Sequence, residues 1–582
     1  FGLAPAPEPA PGRKRKRRRG QVETPPPPPP PPPAVRTQPG TGILFNDNDD
    51  TRRDNLVTTW EHGDLLLDLE VMIPKGSNSG IYLQGLYEVQ LLDSWGVKEP
   101  GFGDIGGIYR NWSNEPGNIY RGKPPLTNAA KAPGTWQHMR IAFRAPRFDA
   151  AGNKTEHARF VYVELNGVRI HENLEVPLPT GGPISAEEVA RGPLMIQGDH
   201  GPVAFRNIRY QHMRSRKVTV SNLTYAYYPG AFTDRLDLNG LTPARTGRLK
   251  DITATLMPEE APGRMVFSGT LEVAEAGTYP LMIRCDGTLS LEVGSQRFEG
   301  DAWRVQEVLA ECQLPAGATP FRLVYARENR QSPPNLGIFN VSSFPESLHA
   351  PGAYTPRPWG ASPFTIKVGN KPRLSRSFFD YQGDRQQRLP YTLAVGTPAG
   401  VHYFYDLQTG TPVCVWRGDF LDATPMWRGR GNGTSRPLGA PQYLPTSLGL
   451  ARMDSSRGEL VFFAKADRRS LGYRLEQGSH LPIFRAEVAD MIVTDLIAPS
   501  AEGKALRRTL SIEALPAGSG LYLRLAEGEQ IQEVAPGLFA VDQTYFIKVP
   551  AGQSLQQQAG PGNRQMLLAP VTPEGVSYEI LW

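Results

Sequence analysis

The chain reads as an all-β, multidomain protein: a jelly-roll sandwich and two further β-sandwich or β-barrel domains, preceded by an extended arm. Three observations predict this. From about residue 41 the sequence consists of short alternating or apolar runs of strand length, separated by Gly, Pro, Asn and Asp. Helical periodicity is nearly missing, and Ser185–Ala190 offers one or two turns at most. Across 582 residues, 60 glycines and 56 prolines supply turn formers, while 39% hydrophobic residues suffice for several cores.

Residues 1–40 form a basic and polyproline arm with nothing to bury against the entropy of ordering. Pro25–Pro33 predicts a stiff left-handed rod of roughly 28 Å, at about 3.1 Å per residue. It reads as a spacer, or as an arm docking into an aromatic groove of a partner protein. The preceding basic run, Arg13 to Arg19, fits attraction to anionic lipid or to a negatively charged partner. Residues 1–20 carry +6 of the formal +5, which leaves about −1 for everything else. A folded face for nucleic acid is therefore not expected. No apolar run reaches the 18 or so residues of a membrane helix.

The jelly roll is expected over 41–215, with strands at Leu65–Ile73, Gly80–Gln84, Tyr87–Asp93, Trp136–Phe143, Phe160–Leu165 and Val203–Tyr210. Asn166-Gly167 is a hairpin signal between two of them. A second β domain follows at 222–350, with strands such as Arg264–Val273, Thr278–Arg284 and Phe321–Tyr325. A third spans 365–582, beyond a Pro-rich joint at 351–363, and includes Val401–Leu407 and Val413–Arg417. The cysteines are Cys285, Cys312 and Cys414, too few for a disulfide scaffold or a four-Cys zinc site. Cys285 and Cys312 are the nearer pair and would bridge only with Cα atoms within about 7 Å.

Several separated motifs over 41–212 resemble one family. They include Asn78-Ser79-Gly80-Ile81-Tyr82-Leu83, Tyr87-Glu88-Val89-Gln90-Leu91-Leu92-Asp93, Gly106-Gly107-Ile108-Tyr109 and Gly134-Thr135-Trp136-Gln137. Further along come Val163-Glu164-Leu165-Asn166-Gly167-Val168, Gly192-Pro193-Leu194-Met195-Ile196-Gln197, Asp199-His200-Gly201-Pro202-Val203 and Phe205-Arg206-Asn207-Ile208. Together they are similar to the 3-keto-disaccharide hydrolase-like family, whose fold is a concanavalin-like lectin/glucanase jelly roll. The resemblance implies a bacterial protein of the periplasm or cell surface that handles carbohydrate, its signal peptide already removed. It also implies, for some members, cleavage of 3-keto-glycosides, in which the ketone acidifies a neighbouring C–H and allows the glycosidic oxygen to be eliminated.

Read directly, Tyr87–Asp93 places Glu88 and Gln90 on one face and Tyr87, Val89 and Leu91 on the other. Two polar groups in succession on a central strand are costly if buried dry, so a hydrated sugar groove is expected there. Glu88-x-Gln90-x-x-Asp93 is similar to the Glu-x-Asp-x-x-Glu strand of family-16 glycoside hydrolases, and Asp93 would share the face of Glu88 only through a bulge. With Gln90 in place of the middle carboxylate, the retaining double-carboxylate mechanism is not expected. Proton abstraction beside a ketone needs one positioned base and a polarising group; Glu88 or Asp93 with His200 or Arg206 would supply them. The alternative is that Glu88 and Asp93 pair with arginines and shape the groove. Tyr82, Gln84, Gln90, Tyr109 and Trp112 are the candidate substrate contacts, with core packing an equal alternative for the aromatic ones. His62, His138, His157 and His171 lack metal-like spacing, so no metal site is expected. No cofactor is expected either; calcium stays a candidate through Asp and backbone oxygens, without an EF-hand-like loop.

Residues 278–325 resemble the protective-antigen-like β domain, in which paired acids bind calcium. Here Arg284-Cys285-Asp286-Gly287 leaves one acid, and a structural module is expected. The last 200 residues or so resemble β domains appended to exported bacterial oxidoreductases, through His402-Tyr403-Phe404-Tyr405-Asp406 and Val415-Trp416-Arg417-Gly418. Two functions follow. One is a carbohydrate-associated binding or scaffold subunit of a larger assembly, which the arm favours. The other is a 3-keto-glycoside hydrolase or lyase.

Overall fold

The protein is described by a computed structural model covering residues 2–3, 42–48, 53–214, 216–231, 238–259, 261–300, 306–327, 333–356, 363–428, 433–454 and 456–582. The basic run and the Pro25–Pro33 rod lie outside the described residues. The fold is all-β and multidomain, built among the described residues from many antiparallel sheets. Among the described residues the one α-helix is Thr424–Arg428. The Ser185–Ala190 stretch contains bends and no helix.

The chain divides into two compact units. One combines residues 1–210 with 360–582, and the other is 211–359. In the first, a front sheet runs in the order Gly2–Leu3, Leu56–His62, Gly192–Ile196, Asn78–Leu83, Tyr87–Leu92. A back sheet runs Val168–Val176, Ala158–Leu165, Trp136–Arg144, Leu65–Met72, Val203–His212, Ile43–Asn46. Strand periodicity builds the core between them. Leu65, Leu67, Leu69 and Val71 meet Ile81, Leu83, Tyr87, Val89 and Leu91 in one buried cluster. Tyr87–Leu92 would be an exposed edge, but Gln90 N–H donates to Gly107 O (2.8 Å) and Gly106 N–H to Gln90 O (2.8 Å). The Gly106–Tyr109 stretch thus satisfies the backbone groups an edge leaves open.

Residues 363–582 contribute further sheets, the largest an eight-stranded one that includes Pro482–Val488, Met491–Pro499 and Leu506–Ile512. Its core holds Tyr403, Tyr405 and Phe484, and the rings of the last two stack 3.6 Å apart. Inside it, Arg508 donates from Nη2 to Asp495 Oδ2 at 2.7 Å with both side chains 3% exposed. The jelly roll packs on this part through Trp95 Nε1–H to Trp582 O (2.7 Å) and Trp136 Nε1–H to Gln543 Oε1 (2.7 Å). The Arg417 guanidinium lies over both Trp95 and Trp582, at 5.2 and 5.5 Å from their ring centres. Of the residues that carry the C-terminal resemblance, His402, Tyr403, Phe404 and Tyr405 are buried in the fold, while Arg417 stands at the junction.

In the second unit the strands Gly277–Cys285 and Gln306–Leu314 pair with Cys285 opposite Gln306 and Tyr279 opposite Cys312. The two cysteines are therefore six positions apart along the ladder, roughly 20 Å at about 3.3 Å per residue. Both are free and buried, so the bridge considered from sequence is excluded by register. Asp286, the lone acid of that stretch, accepts from the Tyr325 hydroxyl and faces Arg327 Nε at 3.7 Å. It is engaged within the fold.

Candidate functional site

Glu88 and Tyr82 stand directly opposite each other on neighbouring strands, on the face of the front sheet turned away from the core. Their pairing follows from register: Gly80 opposes Gln90, Tyr82 opposes Glu88, and the ladder runs without a shift. The Tyr82 hydroxyl donates to Gly181 O at 2.9 Å. The Glu88 backbone N–H donates to Thr180 Oγ1 at 3.0 Å. Gly181 and Gly182 pass between Tyr82 and the Trp112 ring so closely that a β-carbon on Gly181 would lie 2.5 Å from Trp112 Nε1. One on Gly182 would lie 3.1 Å from the Tyr82 hydroxyl.

Burial raises the Glu88 carboxyl to about 8, the nearby Tyr82 hydroxyl pulling down and the Asp199 charge pushing up. The same burial, with the Glu88 charge, holds the Tyr82 phenol well above its usual range. Glu88 is 2% exposed and Gln90 4%. The open hydrated trough expected for them is therefore not seen: both side chains are buried, and the Gly181–Gly182 turn lies against the neighbouring Tyr82. Trp112 is 63% exposed at its outside.

The other expected site residues divide. His200 lies in the Gly198–Gly201 segment on the surface and contacts Asp199 through Nδ1 at 2.5 Å; of the two, Asp199 acts on Glu88 through its charge. Tyr109 is tied to the site through its backbone N–H, which donates to Glu88 O at 3.3 Å. Gln90 is buried and donates to Asn78 Oδ1 at 2.5 Å.

Three assignments are corrected. Asp93 follows the end of the Tyr87–Leu92 strand, and no bulge turns it toward Glu88. Its carboxylate accepts from Gly76 N–H (3.0 Å) and Trp95 N–H (3.3 Å), closing local turns. Arg206 belongs to the back sheet, where it pairs with Glu70 at 2.7 Å and stacks over Trp136. Gln84 sits at a positive φ of 54° and donates from Nε2 to His62 O and Val189 O, each at 3.3 Å, holding a turn. Conversely, Asp199 went unassigned in the sequence although it adjoins His200; its effect on Glu88 comes from a loop brought over by the Gly192–Ile196 strand.

Among the described residues no group of His, Cys, Asp and Glu is arranged to hold a metal ion. His171, buried against Gly106 O at 2.8 Å, is lowered to about 4 by desolvation and is a neutral structural residue.

Residues 21–211 match the 3-keto-alpha-glucoside-1,2-lyase-like domain family. No curated protein matches the chain. Among solved structures, one "putative glycosyl hydrolase" from Parabacteroides distasonis is 27% identical, over 28% of this chain and 73% of that one, with a TM-score of 0.22. A second from the same organism is 25% identical, over 30% and 87% of the two chains, with a TM-score of 0.21.

Proposed function

We propose that the jelly roll is a 3-keto-glycoside lyase in which Glu88 transfers the proton. The observation that carries this reading is a single carboxyl, raised to about 8, held against a tyrosine on the sheet face away from the core. A carboxylate with that affinity for protons is a strong base near neutrality. It would take the hydrogen from the carbon beside the ketone. The electron pair left behind forms the C=C bond as the neighbouring glycosidic C–O bond breaks, and the departing oxygen receives the proton. The products are an enone and an alcohol, with no atom unaccounted for. Tyr82, directly opposite Glu88 on the neighbouring strand, is the positioning partner, and the Asp199 charge acts on Glu88 from the adjoining loop. The family match over 21–211 supports the substrate class.

A second reading, carbohydrate binding without turnover, is favoured by the 2% exposure of Glu88. One experiment separates them. The full chain is mixed with methyl 3-keto-α-glucoside and the ultraviolet absorbance of the enone is followed. Turnover that falls at least a hundredfold in Glu88→Gln, with binding retained, supports the lyase. Saturable binding without any enone from the wild type leaves the binding module.

A further inference from the structure

A second site lies away from Glu88. A cleft of about 630 Å³ is lined by Lys131 of the jelly roll and by Tyr381, Tyr443, Glu527, Asp542 and Arg564 of the C-terminal part. That size is ordinary for a small-molecule site. Its charge is balanced, with one ammonium, one guanidinium and two carboxylates.

The wall groups are held in place by one another and by residues beside the cleft. Glu527 accepts from Arg564 Nε at 3.2 Å and from Arg524. Asp542 accepts from Gln530 N–H at 2.8 Å. Lys131 Nζ donates to neutral Gln442 Oε1 at 3.2 Å. The Tyr381 hydroxyl donates to Leu444 O at 2.9 Å, and its ring meets Tyr443 edge-on at 5.3 Å. Two of the lining residues, Gln382 (φ 53°) and Asp542 (φ 50°), hold left-handed backbone that costs energy without glycine.

We propose that this cleft binds a neutral saccharide, with the two tyrosine rings against the sugar's C–H faces and the mixed donors and acceptors on its hydroxyls. Balanced charge argues against a phosphorylated ligand, and the scarcity of aliphatic lining argues against a lipid. This inference goes beyond the lyase reading and does not depend on it.

The test is calorimetric titration of the full chain with glucose, sucrose and maltotriose, with glucose 6-phosphate as the charged control. Saturable binding of at least one neutral sugar is expected, weakened at least tenfold in Tyr443→Ala. Thr446→Trp, which narrows the cleft while leaving those wall groups in place, is expected to weaken it as much, and Glu88→Gln to leave it unchanged. Absence of saturable binding for all three sugars overturns the proposal. So does an affinity untouched by both cleft variants, or tighter binding of glucose 6-phosphate than of glucose.

Discussion

Glu88 Oε1 occupies the space in which a β-carbon on Gly80 would stand: the two positions are 2.3 Å apart. The missing side chain on one strand is what lets the carboxyl of the next lie across the sheet over Gly80.

Gly80→Ala should therefore displace the Glu88 carboxyl while leaving the fold intact, because the obstructing atom is the far end of a flexible side chain. Turnover of methyl 3-keto-α-glucoside is expected to fall at least tenfold. The melting temperature should move by no more than about 4 °C, the equivalent of about 1–2 kcal/mol in a domain of this size. An unchanged rate would separate the Glu88 position from the chemistry.

The carboxyl also sets a pH dependence of stability. Its folded pKa, about 8, is above the ordinary 4.5, so the folded state keeps a proton that the unfolded chain loses. The stabilisation is complete below pH 4.5 and is lost as pH rises to about 8, at up to roughly 1.4 kcal/mol per pH unit. Urea unfolding at a series of pH values should show Glu88→Gln gaining on the wild type across that window and holding a constant lead above it. Parallel curves would contradict the burial of the charge.

Thiol chemistry tests the register of the second unit. Cys285, Cys312 and Cys414 are free and buried, and burial pushes Cys285 and Cys312 up to about 12. A thiol reagent should find almost none in the native protein and all three after denaturation without reductant. Recovering one thiol instead of three would mean a bridge that the ladder forbids.

What was legible in the sequence was local. Alternation in Tyr87–Leu92 separated Tyr87, Val89 and Leu91 from Glu88 and Gln90, and the structure places the first three in the core. What could not be read was contact between distant segments. Asp93 and Glu88 share a motif, but an unbroken register and two turn N–H groups draw Asp93 away. Arg206 looked available as a polarising group until the back sheet placed Glu70 beside it.

The sequence by itself determined an all-β chain, because period-2 alternation and turn residues act over a few positions. Tertiary structure alone decided that the segment around Thr180 and Gly181, nearly a hundred residues away in the chain, packs against Glu88 and Tyr82, and that Glu88 is buried with its proton affinity raised. Desolvation depends on what covers a group. That cover is supplied by segments whose meeting no local pattern encodes.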